Sequence, residues 1–353
     1  MILEDLHKKD LIHPPTFLID NTMYLCIMGS VAYGVSSDTS DMDLYGFCIP
    51  KKDYIFPHTA GYIHGFDEIP EFNQWQQHHI MDKDALGGKG REYDFSVYNI
   101  SKYFKLLTQN NPNIVDSLFV PQNCIIHSTQ IGQMLRDNRK IFLHKGCYHK
   151  FRGYAYSQKN KMETKSHKGL DALITFEESL EVPRTTTFEE VEKEYKERNS
   201  VDHLKHLKDT DLKQYYGDYK RVLKESKRAE NVKIHGFDRK FAYHLIRLLD
   251  EVEQILTLGD LDLQRAKEHM KAIRKGEVSI KEIHEYFSVK EKQIEALYES
   301  SKIPYSPDKT KIKQLLIDCL EHHYGSLNKI LHKLDKEGNL IMEIKQLIEK
   351  AGY

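Results

Sequence analysis

The sequence predicts an α+β fold, in which a small mixed β-sheet is followed by a largely helical region. Two apolar runs, residues 24–28 and residues 44–49, are typical of buried strands. Residues 92–98 alternate between polar and apolar side chains, which indicates a half-buried strand. From about Thr129 onward, apolar residues recur at helical spacing. The strands therefore fall in the first third of the chain and the helices in the rest.

The chain length and these patterns define two expected domains. The sheet domain covers residues 1–125, and the mostly helical domain covers residues 126–353, within the size range of ordinary domains. Residues 180–232 are strongly charged and read as an insertion or a lid of unassigned function. Residues 51–91 are harder to assign: short strands or a cover over the site both suit them. The polar residues 78–84 are expected to form a solvated loop, with metal binding as the alternative.

Composition excludes several protein classes. The chain has a net charge of −1, so no overall field attracts it to nucleic acid, and any such affinity must be local. Its five cysteines are scattered without a C-x-x-C pair, which favours a reducing compartment and no cysteine zinc site. No stretch approaches 18 apolar residues, and the first ten residues carry charges of both signs. We therefore expect a cytoplasmic protein without a membrane span.

Two aspartates at the start of the second strand are candidate metal ligands. Asp41 and Asp43 lie two residues apart, so on a strand their carboxylates point to the same face. Two carboxylates held this close repel each other unless a cation lies between them. Oxygen ligands favour a hard cation, Mg²⁺ or Mn²⁺. Asp-x-Asp on its own also occurs by chance in many loops.

A Gly-Ser pair follows the first strand and is a candidate phosphate-binding element. Gly29 allows a backbone to approach a ligand closely. The Ser30 hydroxyl and neighbouring N–H groups can hold phosphate oxygens. Along the chain, a strand is followed by Gly-Ser, ten residues, and Asp-x-Asp at the start of a second strand. This order of elements resembles the signature of the DNA polymerase β-like nucleotidyltransferase superfamily. This resemblance implies that Gly29 and Ser30 hold a nucleoside triphosphate and that Asp41 and Asp43 hold two metal ions.

The resemblance also implies a third carboxylate on a neighbouring strand, and Asp94 is the expected residue. Its role would be that of a general base toward the attacking hydroxyl or of a ligand to the second metal. Glu92 lies on the same face and competes for this assignment. A pair of solvent-facing acids on an edge strand is the structural alternative.

A strongly basic segment lies in the helical region. Residues 139–168 contain nine Lys or Arg and one acid, a net charge of +8, with aromatic residues interleaved. At helical spacing Arg152, Tyr156 and Lys159 share one face. Such a face suits the phosphates and bases of a nucleotide, or an RNA end. A solvated helix whose tyrosines pack on the sheet explains the pattern equally well.

A second cationic stripe lies on a predicted helix that begins after Asp238, a plausible N-cap. Lys240, His244, Arg247 and Glu251 follow one another at helical spacing. The first three are candidates for binding the triphosphate or the acceptor. The alternative is a salt-bridged helix face that uses Glu251.

Several segments together narrow the resemblance. The sequence resembles the RlaP group of polymerase β-like RNA repair proteins in several places. These are the Gly-Ser and Asp-x-Asp elements, the strand with Asp94, and the segments NNPNIVDSLF, FDRKFAYHLIRLL and GDLDL with IRKGEVS. The resemblance covers roughly residues 22–300 and is weakest in 51–91 and 180–232. The group includes phage-encoded members, for which the location would be the host cytoplasm.

The resemblance implies a metal-dependent nucleotidyltransferase that uses Mg²⁺ or Mn²⁺ and binds ATP or another NTP. It would move a nucleoside monophosphate to an acceptor hydroxyl, in a core formed by residues 1–125. The acceptor would be an RNA 3′ end, such as that of a tRNA, a protein hydroxyl, or a small molecule, and the basic segment favours RNA. A non-catalytic protein that binds nucleotide or nucleic acid is the alternative of a different class. The sequence leaves the oligomeric state open.

Overall fold

The computed structural model describes residues 1–36, 41–164, 169–225 and 229–327, together with residues 344, 347 and 348. The chain divides into two compact units. The sheet unit comprises Met1–Leu143 and Ser306–Tyr353, and the helical unit comprises His144–Tyr305. The predicted core of residues 1–125 lies within the sheet unit, and the domain boundary at residue 125 stays a prediction. Within the described residues, no helix has both the length and the apolar character of a membrane span.

One mixed sheet of five strands forms the sheet unit, as the sequence predicts. The strands are β1 (Thr22–Ile27), β2 (Met42–Cys48), β3 (Gln74–Asp82), β4 (Arg91–Asn99) and β5 (Ile125–Ser128). Their order in space is β3-β4-β2-β1-β5. β2 and β4 run parallel, and the other neighbouring strands are antiparallel. The three strands predicted from the sequence correspond to β1, β2 and β4.

Short helices connect the strands of the sheet unit. They are α1 (Ile2–Lys8), α2 (Gly29–Ala32), α3 (Lys52–Ile55), α4 (Ala85–Gly88), α5 (Ile100–Thr108), α6 (Pro112–Phe119) and α7 (Gln130–Asp137). Three 3₁₀ helices, Pro57–Ala60, Gln122–Cys124 and Arg139–Phe142, complete the connections. Asn99 caps α5 by accepting a hydrogen bond from the Ser101 N–H (2.9 Å).

The helical unit contains eight α-helices among the described residues. They are α8 (Gly146–Thr164), α9 (Leu170–Ser179), α10 (Phe188–Lys196), α11 (Asp209–Glu225), α12 (Ala229–His235), α13 (Arg239–Leu258), α14 (Lys267–Lys275) and α15 (Ile280–Ser300), with a 3₁₀ helix at Asp202–Leu204. Helix α16 (Lys309–Tyr324) belongs to the sheet unit. α13 packs against α8, α14 and α15. Asp238 caps α13 by accepting hydrogen bonds from the N–H groups of Lys240 and Phe241.

The charged segment predicted as an insertion forms a packed cluster within the helical unit. Val191, Leu204, Tyr215 and Tyr219 are buried together with residues from α9 and α12. A few large apolar and aromatic side chains therefore give this segment a core of its own, despite its high charge.

Between β2 and β4 the sequence left two alternatives open, short strands or a cover over the site. The short strands are absent at residues 54–56, because the chain there passes from α3 toward a 3₁₀ helix, and at residues 62–66, which are irregular or form turns. The expected solvated loop at residues 78–84 is wrong, because β3 extends to Asp82. A β-bulge at His78 and His79 hides the strand periodicity in the sequence.

The two faces of the sheet differ in burial. Leu44 and Phe95 are fully buried on one face. On the other face burial increases along β2, from the partly buried Asp43 and Tyr45 to the fully buried Phe47. The Phe47 ring lies 4.9 Å from the ring of Tyr103 on α5. α5 thus covers one end of this face, and the polar residues lie at the other end.

Candidate functional site

Two of the predicted carboxylates are brought together by the pairing of β2 with β4. Asp43 is the register partner of Asp94 in this parallel pair. Partners on neighbouring strands point to the same face, and their backbones lie about 4.8 Å apart. Both side chains are partly buried, and the Asp94 side chain is 25% exposed. Two adjacent acids with limited access to water form an arrangement that a bound cation stabilises.

The Gly-Ser turn packs directly against Asp43. Gly29 has a φ of +63°, and a Cβ placed on it would lie 2.0 Å from Asp43 Oδ2. The Met28 N–H donates a hydrogen bond of 2.7 Å to the carbonyl oxygen of Asp43. Gly29 is therefore required both for its backbone conformation and for the space that the carboxylate occupies. Ser30 follows in the first turn of α2 and is partly buried.

Asp41 lies at the open end of the site. It precedes β2 by one residue and is exposed. Residues 37–40, which belong to the segment between Ser30 and Asp41, lie outside the described residues. Asp41 is two residues from Asp43, and its role as a metal ligand stays a prediction.

A bulge in β3 adds two histidines that the sequence analysis did not place in the site. Gln77 pairs with Phe95 and Ile80 pairs with Tyr93, so His78 and His79 both stand opposite Asp94. The His79 N–H donates a hydrogen bond of 2.7 Å to Asp94 Oδ1. His78 Nδ1 lies 3.6 Å from the same oxygen. The one available signal was the His-His pair, which interrupts the alternation of a strand.

Glu92 also belongs to this edge of the site. His79 Nδ1 lies 2.5 Å from Glu92 Oε1. His79 has a φ of +57°, a conformation that the bulge imposes and that turns its backbone N–H and its imidazole toward the two acids of β4. Glu92, which competed with Asp94 for the third carboxylate, therefore lies in the same cluster. Its carboxylate contacts the His79 imidazole, whereas Asp94 accepts from the His79 N–H.

Tyr45 and Ser96 continue the polar face toward the core. Burial raises the pKa of the Tyr45 phenol, and the negative charges of Asp43 and Asp94 raise it further. Ser96 Oγ accepts a hydrogen bond of 3.1 Å from Gln76 Nε2. Tyr45 is therefore a neutral hydroxyl beside the two carboxylates.

Part of the chain is similar to a known protein family. Residues 3–173, just under half of the chain, match the model of the RNA repair pathway DNA polymerase beta family, RlaP. Over these residues the chain is similar to the RlaP family. The match supports a function of the polymerase β-like nucleotidyltransferase type. No curated protein and no solved structure matches the chain.

The RlaP match includes the whole basic segment, in which Arg152 was predicted to bind nucleotide. Arg152 donates from Nη2 (2.6 Å) and Nε (3.1 Å) to Glu291 Oε1 on α15. This carboxylate raises the pKa of the guanidinium. The guanidinium also lies over the rings of Tyr148 and Tyr156, 5.4 and 5.5 Å from their centroids. Arg152 is thus engaged within the helical unit, and its role toward a nucleotide stays a prediction.

The predicted face of Arg152, Tyr156 and Lys159 exists, but it packs on α15. The Tyr156 hydroxyl hydrogen-bonds Glu291, and Lys159 Nζ lies 4.9 Å from the ring centroid of Phe287. The alternative interpretation was that the tyrosines pack on the sheet. They pack instead on a helix of the same unit. Lys165 and Lys168 of the basic segment lie outside the described residues.

Beyond the RlaP match, the stripe on α13 becomes more buried along the helix. Lys240 is exposed, His244 is partly buried, and Arg247 is 5% exposed. Arg247 Nε lies 3.6 Å from Glu251 Oε1, and burial lowers the Arg247 pKa. The alternative of a salt-bridged helix face thus holds for Arg247 and Glu251. Among Lys240, His244 and Arg247, the solvent-accessible residue is Lys240. Their predicted role in nucleotide binding stays a prediction.

Proposed function

We propose that the protein is a metal-dependent nucleotidyltransferase that moves a nucleoside monophosphate from an NTP to an acceptor hydroxyl, with an RNA 3′ end as the acceptor. The observation that carries this proposal is the in-register pair of Asp43 and Asp94, with Gly29 packed against Asp43. The RlaP match supports the reaction class, and the words RNA repair in the family name favour RNA as the acceptor.

The site residues fit divalent cations. Asp43 and Asp94 offer carboxylate oxygens on one face of the sheet, and Asp41 lies two residues before Asp43. These are the hard oxygen donors that Mg²⁺ and Mn²⁺ prefer. When bound, such cations supply Lewis-acid activation of the acceptor hydroxyl and stabilise the charge of the leaving pyrophosphate.

The protein residues have separate roles in this proposal. Gly29 lets the backbone approach the triphosphate, and the Ser30 hydroxyl donates a hydrogen bond to a phosphate oxygen. Asp94 accepts the proton of the acceptor hydroxyl. The His79 N–H fixes one oxygen of Asp94 and thereby orients the carboxylate. Tyr45 remains protonated next to the acids and therefore adds no negative charge to the site.

The experiment is incubation of the protein with each α-³²P-labelled NTP, Mg²⁺ or Mn²⁺, and total cellular RNA and protein. We expect label in RNA with wild type and none with Asp43→Asn. Asp84→Asn is the matched control, because Asp84 is an exposed aspartate just beyond β3. It should retain full activity.

Other outcomes would change the proposal. Protease-sensitive label in protein would replace RNA with a protein hydroxyl as the acceptor. Equal labelling by wild type and Asp43→Asn would contradict the assigned site. An absence of label with all four NTPs and both metals would favour a protein that binds nucleotide without transferring it.

A further inference from the structure

The bulge in β3 creates a donor set of a different chemical kind from the aspartate pair. The ligand atoms that His79, Glu92 and Asp94 offer all lie within 4.8 Å of one another. Across the part of the chain that the structure describes, these three residues are the group of three or more His, Cys, Asp or Glu residues whose ligand atoms lie close enough together to hold a metal ion. It combines one imidazole nitrogen with two carboxylate oxygens.

The backbone fixes these donors in place. Glu92 and Asp94 lie two residues apart on β4 and share one face. His79 is held at positive φ opposite them, and its own N–H occupies Asp94 Oδ1. Asp94 offers one carboxylate oxygen as a ligand atom. A preformed donor set loses less conformational entropy when it binds a ligand.

Exposure leaves room for further ligands. The His79 side chain is 84% exposed, whereas those of Glu92 and Asp94 are 24% and 25% exposed. Three protein ligands on one side and solvent on the other resemble the open coordination of catalytic or exchangeable metal sites rather than a closed structural site.

We propose that His79, Glu92 and Asp94 form a site for a divalent transition metal, which binds Zn²⁺, Co²⁺ or Mn²⁺ in preference to Mg²⁺. An imidazole nitrogen suits these metals, whereas Mg²⁺ favours ligand sets made of oxygen alone. The expected order of affinity is Zn²⁺ above Co²⁺ above Mn²⁺. Without metal, His79 Nδ1 lies 2.5 Å from Glu92 Oε1.

The site shares Asp94 with the proposed catalytic set. If the proposed function holds, a metal bound here lies next to the reacting groups. That consequence rests on the proposed function. Binding of the metal itself does not, because it needs neither nucleotide nor acceptor.

The test is calorimetric titration of the full chain, without an affinity tag, with Zn²⁺, Co²⁺, Mn²⁺ or Mg²⁺ alone. His79→Asn is the decisive variant, because Asn tolerates positive φ and lacks the imidazole. We expect it to lose about tenfold or more in Zn²⁺ affinity, at least the effect of removing an outer-shell partner. The matched control His78→Asn changes the neighbouring histidine and should stay within about twofold of wild type, a change of ~0.4 kcal/mol.

A spectroscopic readout identifies the ligand directly. With Mn²⁺ bound, pulsed EPR should show coupling to a ¹⁴N nucleus in wild type and in His78→Asn but not in His79→Asn. Unchanged Zn²⁺ affinity in His79→Asn, or Mn²⁺ without ¹⁴N coupling in wild type, would overturn the proposal. Near-ultraviolet circular dichroism of the metal-free variants checks that the fold is retained.

The five cysteines do not compete for the metal in this test. All are buried, and burial raises the pKa of the Cys26 and Cys48 thiols to about 12. Asp43→Asn separates the two proposals: it should abolish nucleotidyl transfer and retain His79-dependent Zn²⁺ binding. If wild type transfers nucleotide but shows no His79-dependent Zn²⁺ binding, the proposed function stands and the metal site is contradicted. If it binds Zn²⁺ through His79 but transfers no nucleotide, the metal site stands and the proposed function is contradicted.

Discussion

Acidic side chains cluster in both units, but the two clusters are built differently. In the helical unit, Glu177 is 1% exposed and lies 2.6 Å from Lys233 Nζ, which is itself buried. The Tyr215 hydroxyl also donates to Glu177. In the sheet unit, Asp43 and Asp94 are in-register neighbours that are only partly buried. One cluster is closed around a cation of the protein, whereas the other presents adjacent carboxylates toward the open end of a sheet.

This difference separates a structural role from a binding role. Burial raises the pKa of Glu177 and lowers that of Lys233, so each charge depends on its partner to persist in the interior. Removing one member should unfold the cluster. Removing Asp43 takes away one of two mutually repelling charges, and should affect ligand binding more than folding.

The largest expected effect is on Lys233→Met. The substitution leaves Glu177 buried without its cation, which should lower the free energy of unfolding by about 3–5 kcal/mol. Urea denaturation followed by circular dichroism measures the change. The double variant Glu177→Gln, Lys233→Met is the matched control and should recover most of the loss. A loss below ~1 kcal/mol in Lys233→Met would show that the pair is not the structural element described here.

A smaller effect is expected for Gly29→Ala, at the contact between the turn and Asp43. The new Cβ meets Asp43 Oδ2 at 2.0 Å and imposes a φ of +63° on a residue with a side chain. We expect a loss of stability of about 1–3 kcal/mol together with weaker binding of Mg²⁺ and NTP.

Gly87→Ala is the matched control for this prediction. Gly87 has a φ of +68°, and no atom lies within 4 Å of its ideal Cβ. It therefore reports the cost of the backbone conformation alone. If both variants bind Mg²⁺ and NTP as wild type does, the contact between Gly29 and Asp43 is not part of the site.

The smallest effect concerns pH and involves both units. Burial lowers the pKa of His235, His269 and His323 below the ordinary value of 6.5. The unfolded chain therefore binds more protons just below pH 6.5, so stability should fall as the pH drops from 6.5 toward the folded-state pKa values, by at most about 1.4 kcal/mol per pH unit for each histidine.

Melting temperatures measured between pH 7.5 and 5.5 test this sign. His323→Gln should show a shallower decline than wild type over this range. Stability that rises on acidification would contradict the direction assigned to these three histidines.

The sequence predicts the parts of the site that depend on local pattern. The apolar runs around Gly29 and Asp43 mark β1 and β2, and the alternation around Asp94 marks β4. The pairing of Asp43 with Asp94 then follows from a mixed sheet in which β2 and β4 are neighbours.

The remaining features depend on tertiary contacts that local pattern does not encode. The bulge at His79 is defined by its pairing with β4, and in the sequence it reads as a polar loop. Arg247 belongs to a cationic stripe for which the sequence left ligand binding and a salt bridge to Glu251 open. Because α13 packs against α8, α14 and α15, Arg247 is buried with Glu251. Burial of charge on a helix packed from several sides has no signature in the spacing of residues.

The central claim is that the carboxylates on the sheet form a cation and nucleotide site rather than a structural charge cluster. The most direct measurement is the melting temperature of wild type and Asp43→Asn, with and without NTP and Mg²⁺. We predict that the metal-free proteins melt within a few degrees of each other and that the ligands raise the melting temperature of wild type alone. A wild type that does not respond, or an equal rise in Asp43→Asn, would contradict the claim.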